Sequence, residues 1–579
     1  MVPRRGHRDA DYSGTSTIRY WGVFDAGRND GHQLARSPSP VPDISPIENY
    51  RPDSPYHELR QGKNWLDVDF QIRSASTSSD LEPVLGHDDP TTPVQSPLLG
   101  ALESHEAIAP YSVSPQTSGS SSEESEEPID APDNRGQLSL FKACGTMYKS
   151  PMPRVVNLFC VVGNPKTPWK LIHLPRVIQS VGDLSITGSV TRIRSALQSA
   201  LLSISAFCIS NDHKNRQEVD KAAYWSNEAI LLRGKAIQHL KLAVEHDFRP
   251  EAMPRYKDFL ATMLSMISIN VMSGDTASCA LHLSGISQLI IYAKKWKKKY
   301  SIKAQALHRT FFYLQTIHQS TLVLGKENPS ISEAGLELFS QPLVLATSGP
   351  TLRDDVVGDE MSPGSEETLR QMVTFQGIYG VPQSLLFILS KVIRLIHSLD
   401  KVRRADQSVT IPASMMLECD ELEHEIMTWT AEALPEDHPI RTTSINAEII
   451  RLTTHAFYNA IIVYFAQNIR LIGHHYLRQF VQEVLESIES IEDIKAQSKT
   501  LAAPLFWPAF IAASESFDEE LQLRFRNWYR RVEVYGFECP RTGIEILVKI
   551  WQSGITKDLR TTSRWRGEMM KMQSVLMLT

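Results

Sequence analysis

The residues here that could do chemistry are the cysteines, a few histidines and one run of lysines. Cys144, Cys160, Cys208, Cys279, Cys419 and Cys539 lie far apart, and no two make a C-x-x-C pair. A structural zinc needs thiolates or imidazoles at short, convergent spacing, so this chain supplies no cysteine cluster and no cofactor of its own is implied. Most of the six sit in apolar surroundings, which suits buried thiols in a reducing compartment. His424-Glu425 opens like the H-E-x-x-H helix of a zinc protease, but Thr428 stands where the second histidine must be. That motif fails. His474 and His475 are adjacent and so point to different faces of a helix, which suits neither one metal nor a catalytic pair. His282 has two readings, a ligand contact or a satisfied packing residue, and packing is the commoner fate. No nucleophile elbow, Walker loop or dinucleotide-binding glycine motif is present. A hydrolase with a triad scattered along the chain remains as a rival reading, with nothing positive behind it.

The densest positive run is KKWKKKY, with Lys294, Lys295, Lys297, Lys298 and Lys299. One reading is a nuclear-import signal or a phosphate contact. The other is a solvated helix end, where cations suit the negative end of the helix dipole. Both stay open.

These residues are positioned by elements with a helical period. The chain is organised around Tyr256 to Tyr292, where Phe259, Met263, Ile267 and Val271 recur at helical spacing beside Leu260 and Leu264. Ser273-Gly274-Asp275 breaks that pattern. Gly274 can take the positive φ that ends a helix, and Asp275 or Thr276 can cap the next. Cys279, Leu283, Ile286 and Ile290 then repeat the spacing, which predicts two antiparallel helices joined by a tight turn. Small residues such as Ala277, Ala280 and Gly285 would let neighbouring helices come close.

The same periodicity predicts helices along the stripe Ile193–Ile204 and over Ala222–Val244, Ala304–Leu324 and Ser384–Ser398. Further ones follow over Ser414–Ala433, Asn446–Gly473, His475–Lys495, Ser514–Val534 and, as the last complete helix, Gly543–Ser553. A loop rich in Pro, Gly and acid is expected near residues 341–367. Sustained β-alternation is absent after residue 180. The expected fold class is therefore all-α, a multi-helix domain over residues 138–579.

Ahead of it, residues 1–135 are rich in Pro, Ser and acid, as in RSPSPVPDISP and SGSSSEESEEP. Such composition cannot bury enough apolar area to offset chain entropy, so a disordered N-terminal region is expected. Two islands interrupt it, IRYWGVF and NWLDVDF, where acid beside bulky hydrophobes matches an amphipathic activation segment or a local docking motif. The formal charge of −6 argues against a chain that coats nucleic acid unaided. The first residues lack the apolar stretch of a secretory signal. No apolar run reaches the roughly 18 residues of a membrane span. The expectation is a soluble, intracellular protein with no membrane partner.

The central stretch also resembles a known family. A buried helix, then Gly274-Asp275, then a helix carrying His282-Leu283-x-Gly285 is similar to the regulatory domain of fungal-specific transcription factors. Ile286 stands where that family usually has a small residue. NPKTPWKLIHLP, with Pro168, Trp169 and Pro175, resembles the opening of the helical domain in regulators related to the fungal arginine-metabolism activators. FWPAFIAASE, with Trp507 and Pro508, and the closing SRWRGEMMK and LMLT resemble the same group, in the same order. Such factors normally begin with a binuclear zinc cluster that presents a short helix to DNA. That cluster is missing from this chain, and IRYWG resembles the stretch just after it. The expectation is a chain truncated at its front, a gene model that begins late, or a member that has lost its DNA reader. Zinc would enter only through a cysteine cluster upstream of Met1.

The resemblance implies a nuclear regulator of RNA polymerase II transcription whose helical domain restrains or relays activity, with a metabolite as the effector. Implied partners are the transcription machinery or a DNA-binding protein, DNA itself through an upstream cluster, and a second copy in a homodimer. The motif residues themselves read as structural. The rival reading is a helical protein-interaction scaffold without a transcriptional role.

Overall fold

The computed structural model describes residues 151–247, 256–294, 297, 300–323, 368–371, 373–406, 410–431, 444–554 and 563–579. The head over residues 1–135 and the loop near 341–367 lie outside the described residues. Among those described there are helices and turns but no strand. The fold is all-α.

The first half is built on α3 (Arg192–Asn215) and α4 (Val219–Leu242), the most extensively paired helices of the chain. α3 is buried nearly all round. Ala196, Leu197, Ala200, Leu201 and Ile204 are each at most 1% exposed. Its serines satisfy themselves on backbone carbonyls, Ser203 on Ala229 and Ser205 on Leu201, so an apolar interior tolerates them. Against α3 lie α1 (Pro151–Leu158), α2 (Leu174–Thr187) and α5 (Tyr256–Ser273). α6 (Cys279–Lys294) packs on α5, and α7 (Ile302–Thr321) on both.

Gly274, at φ +82°, ends α5, and its N–H reaches Asn270 O at 2.9 Å. A short 3-10 turn, Thr276–Ser278, then leads into α6. Asp275 stands before that turn, where its carboxylate receives Ser278 Oγ at 3.0 Å and Arg233 of α4 at 2.6 Å. Thr276 turns away and donates to Val575 O at 2.6 Å. The close approach expected of α5 and α6 is made at Gly285, where a Cβ would come within 2.7 Å of Met263 Cε.

The second half comprises α8 (Phe375–Tyr379), α9 (Gln383–Asp406), α10 (Ala413–Thr428), α11 (Ser444–Phe465), α12 (His474–Ser498) and α13 (Phe506–Ala513). α14 (Glu519–Val532), α15 (Pro540–Ser553) and α16 (Arg564–Met572) complete it. α11 lies against α12 and α13, while α9 meets α7 and so joins the halves. One continuous apolar core runs through both.

Four sequence expectations are corrected. The helix expected over 514–534 begins only at Glu519, after a turn over 514–518, because Asp518 caps it by accepting Glu520 N at 2.9 Å. The helix expected to run to Gly473 ends at Phe465 and passes through a π turn, Ala466–Arg470, to Leu471 at φ +54°. The last helix is α16, beyond Gly543–Ser553. Among the described residues two helices, Arg192–Asn215 and Ile445–Arg470, are long and apolar enough to cross a membrane, but 83% of each apolar window is buried inside the packing, as in core helices.

Candidate functional site

The opening segment is fixed by its own side chains. Asn164 is 2% exposed; its amide donates to Gly377 O at 2.7 Å, and its carbonyl oxygen accepts Lys166 N at 2.8 Å. Thr167 O then accepts the N–H groups of Lys170 and Leu171. Pro168 has no N–H to lose at this point and leads into a π turn, Trp169–His173. Trp169 stacks on Phe159 at 4.6 Å and on His173 at 4.2 Å. His173 Nδ1 lies 3.1 Å from Pro168 O, and burial pushes its pKa down to about 4, so the ring is neutral. Pro175 sits exposed in the first turn of α2, a position without an intrahelical donor.

Trp169 forms one wall of a crevice where the distant motif stretches meet. Leu158, Phe159 and Val161 stand beside it, α5 contributes Leu264 and Ser268, and α7 contributes Thr310, Tyr313 and Leu314. Tyr379, Ala503, Pro504 and Thr579 close it. Tyr313 and Tyr379 stack at 3.7 Å, and burial pushes both phenols well above their ordinary pKa. The free space is about 30 Å³, room for a water or two and too little for a metabolite. Ser268 and Thr310 donate to carbonyls of their own helices, Leu264 and Ala306. No histidine or carboxylate side chain lines the crevice, so neither hydroxyl has a base to activate it. The crevice has an apolar and aromatic lining and no nucleophilic constellation.

Gly274, Asp275, His282, Leu283, Gly285, Trp507 and Pro508 are not among the residues that line the crevice. His282 is 6% exposed and Leu283 2%, both within α6. Trp507 is fully buried, stacks on Phe457 at 5.4 Å and donates from Nε1 to Ser320 Oγ at 2.7 Å. Pro508 follows it in the first turn of α13. Asp275 is held below the usual carboxylate range: burial pushes it up, but hydrogen bonding and charge from Arg233 outweigh that. Of the basic run, Lys294 and Lys297 are described, and neither lines the crevice. Lys294 is exposed at the last residue of α6, and Lys297 N reaches Ala293 O at 2.8 Å. Lys295, Lys298 and Lys299 lie outside the described residues.

The described cysteines, Cys160, Cys208, Cys279, Cys419 and Cys539, are buried free thiols. Burial pushes Cys160, Cys208 and Cys279 up to about 12, so thiolate chemistry is suppressed. Among the described residues no group of three or more His, Cys, Asp or Glu side chains is placed to hold a metal. Glu425, the would-be protease acid, pairs with Lys391 at 2.6 Å.

Sequence reasoning missed the buried ion pairs. Lys495 is 2% exposed, yet donates to Glu492 and to Ala503 O at 2.8 Å, while Tyr535 OH donates to the other oxygen of Glu492. In SIESIEDIKAQSK nothing separates these charges from the solvated ones beside them. Asp258, fully buried, lies 3.3 Å from Arg176 and 3.6 Å from Arg194. Asp258 falls outside the apolar stripe read for α5, so the helical spacing carried no signal there.

Residues 153–579 match the family described as the fungal specific transcription factor domain. The chain belongs to that family. The match begins within α1, runs to the last residue, and takes in every helix described above. The chain is also similar to the arginine metabolism regulation protein II of Saccharomyces cerevisiae, 23% identical over 458 residues. That alignment covers 69% of this chain and 51% of the yeast protein, so the chain spans about half the length of that relative. No solved structure matches.

Proposed function

We propose that this chain regulates transcription by RNA polymerase II in the nucleus, its helical domain over residues 138–579 restraining or relaying the activity of the acidic region ahead of it. The observation that carries this reading is the family match over residues 153–579. The regulator most of whose matched length aligns with this domain supports it. The domain's part is that of a scaffold for regulation; its continuous apolar core and a crevice without a nucleophile and base support this. A small effector belongs to the same proposal. It would enter between Trp169, Tyr313 and Tyr379 by parting the opening segment from α5, since the closed crevice is too small.

Contact with DNA in this reading comes through a zinc cluster outside these 579 residues or through a DNA-binding partner. Specific readout needs a rigid element reaching base edges, and no two cysteines here stand at chelating spacing. Titration of residues 1–579 with duplex DNA should therefore give weak, sequence-blind binding that fades steeply with salt, and metal analysis should give no stoichiometric zinc. Sequence-discriminating binding that survives physiological salt would refute this part of the reading.

A further inference from the structure

α4 buries one face against α3 and leaves the other uncovered. On the uncovered face Val219 is 74% exposed, Tyr224 59%, Ile230 51% and Leu231 60%, with Ala223 exposed between them. Gly234 continues the stripe, and nothing lies within 4 Å of where its Cβ would be. From Ala223 to Gly234 this arc carries Asn227 but no charge. Surface apolar residues are ordinary when scattered; a charge-free stripe along three turns of one helix marks an interaction face.

The charges at its two ends say what covers it. Asp220 lies at the start of the stripe and Lys241 beyond its end, and neither has an ion-pair partner among the described residues. Lys221 and Arg233, by contrast, are tied to Glu218 and Asp275. Asp220 and Lys241 stand equally far from the point midway between Ile230 and Leu231. Two copies of α4 laid antiparallel about a two-fold axis through that point bring Asp220 against Lys241 of the partner subunit, at both ends. The same operation sets Ile230 against Ile230 of the partner subunit on one flank of the axis and Leu231 against Leu231 of the partner subunit on the other, with Asn227 against Gly234 of the partner subunit. Ala223 and Gly234 let the backbones come close. A face that complements itself under a two-fold rotation is what an isologous dimer requires.

We propose that α4 is a homodimer interface of this chain, centred on Ile230 and Leu231 and keyed by Asp220 and Lys241. This goes beyond the proposed regulatory role and stands without it. The strip is about 36 Å long and about one helix wide, at the low end of stable interfaces, so the dimer should dissociate at micromolar concentrations.

Sedimentation of the full chain from about 1 to about 100 μM tests it. The mass should rise from 65.2 kDa towards twice that value. Leu231→Glu should remain monomeric throughout, with an unchanged thermal midpoint because the side chain is exposed. Asp220→Lys and Lys241→Glu should each weaken the dimer about tenfold, and the two together should restore it. The inference is overturned by a chain monomeric at every concentration, which would leave the stripe to another occupant such as NWLDVDF of the head. It is equally overturned by a dimer indifferent to Leu231→Glu, or by a double variant no tighter than its singles.

Discussion

Trp507 shows how a single side chain ties the two halves together. Its indole donates to Ser320 Oγ at the end of α7, whose carbonyl in turn accepts Tyr464 OH of α11 at 2.7 Å. Trp507→Ala should lower stability by about 3–5 kcal/mol, the cost of a large core cavity. Trp507→Phe, which keeps most of the ring but loses the donor, should cost less, about 1–3 kcal/mol, because Ser320 loses a buried partner. Urea unfolding of both variants checks this, and a Trp507→Phe variant as stable as the parent would mean that the hydrogen bond contributes nothing. The buried histidines act through protons. Burial pushes His173 and His318 down to about 4 and His308 to about 3, all below the ordinary 6.5. The unfolded chain therefore binds more protons below pH 6.5, so stability should fall as pH drops from 6.5 towards 4, by up to about 4 kcal/mol per pH unit for three such groups. Above pH 6.5 their contribution is constant. Unfolding free energies measured between pH 8 and pH 4 check the sign, and a profile flat down to pH 5 would contradict it.

At the scale of elements, the turn between α5 and α6 distinguishes two kinds of glycine. Gly274 needs its positive φ, and a Cβ there would meet Glu538 Cβ at 3.2 Å and Glu538 O at 3.5 Å. Gly274→Ala should therefore cost about 1–3 kcal/mol from backbone strain and crowding together. At Gly285 the obstruction is the tip of Met263, a flexible side chain, so Gly285→Ala should be nearly neutral while Gly285→Val should destabilise clearly. Thermal melts of the three variants separate these cases. The same contrast explains what the sequence could reveal. The α5–α6 pair, α7 and α9 were legible because long apolar stripes keep a 3.6-residue period. α1 and α16 are too short to show a period, and α16 carries four basic or acidic residues and Gly567 among its nine. The break before α14 turned on Asp518, whose capping role depends on where α13 stops. The crevice was half legible: Trp169 belonged to a quoted motif, whereas Tyr313 and Tyr379 meet only because α7 and α8 are brought together across a long stretch of chain.

At the scale of the molecule, charge is divided unevenly. Residues 1–150 hold 13 Lys and Arg against 22 Asp and Glu, so the remainder carries a slight positive excess. An acidic region with bulky islands ahead of a helical core is the arrangement expected of a regulator whose core controls that region. Leu158, Trp169, Leu264 and Tyr313 line the crevice and belong to the same apolar core as Trp507, so changes at the crevice are expected to act on the whole domain rather than on a local reaction. The most direct measurement is promoter tethering in a fungal host. Residues 1–579 fused to an unrelated DNA-binding domain should change reporter output relative to that domain alone, and deleting residues 1–135 should alter the response. A fusion that reaches the nucleus intact, occupies the promoter and leaves reporter output unchanged would contradict the regulatory account.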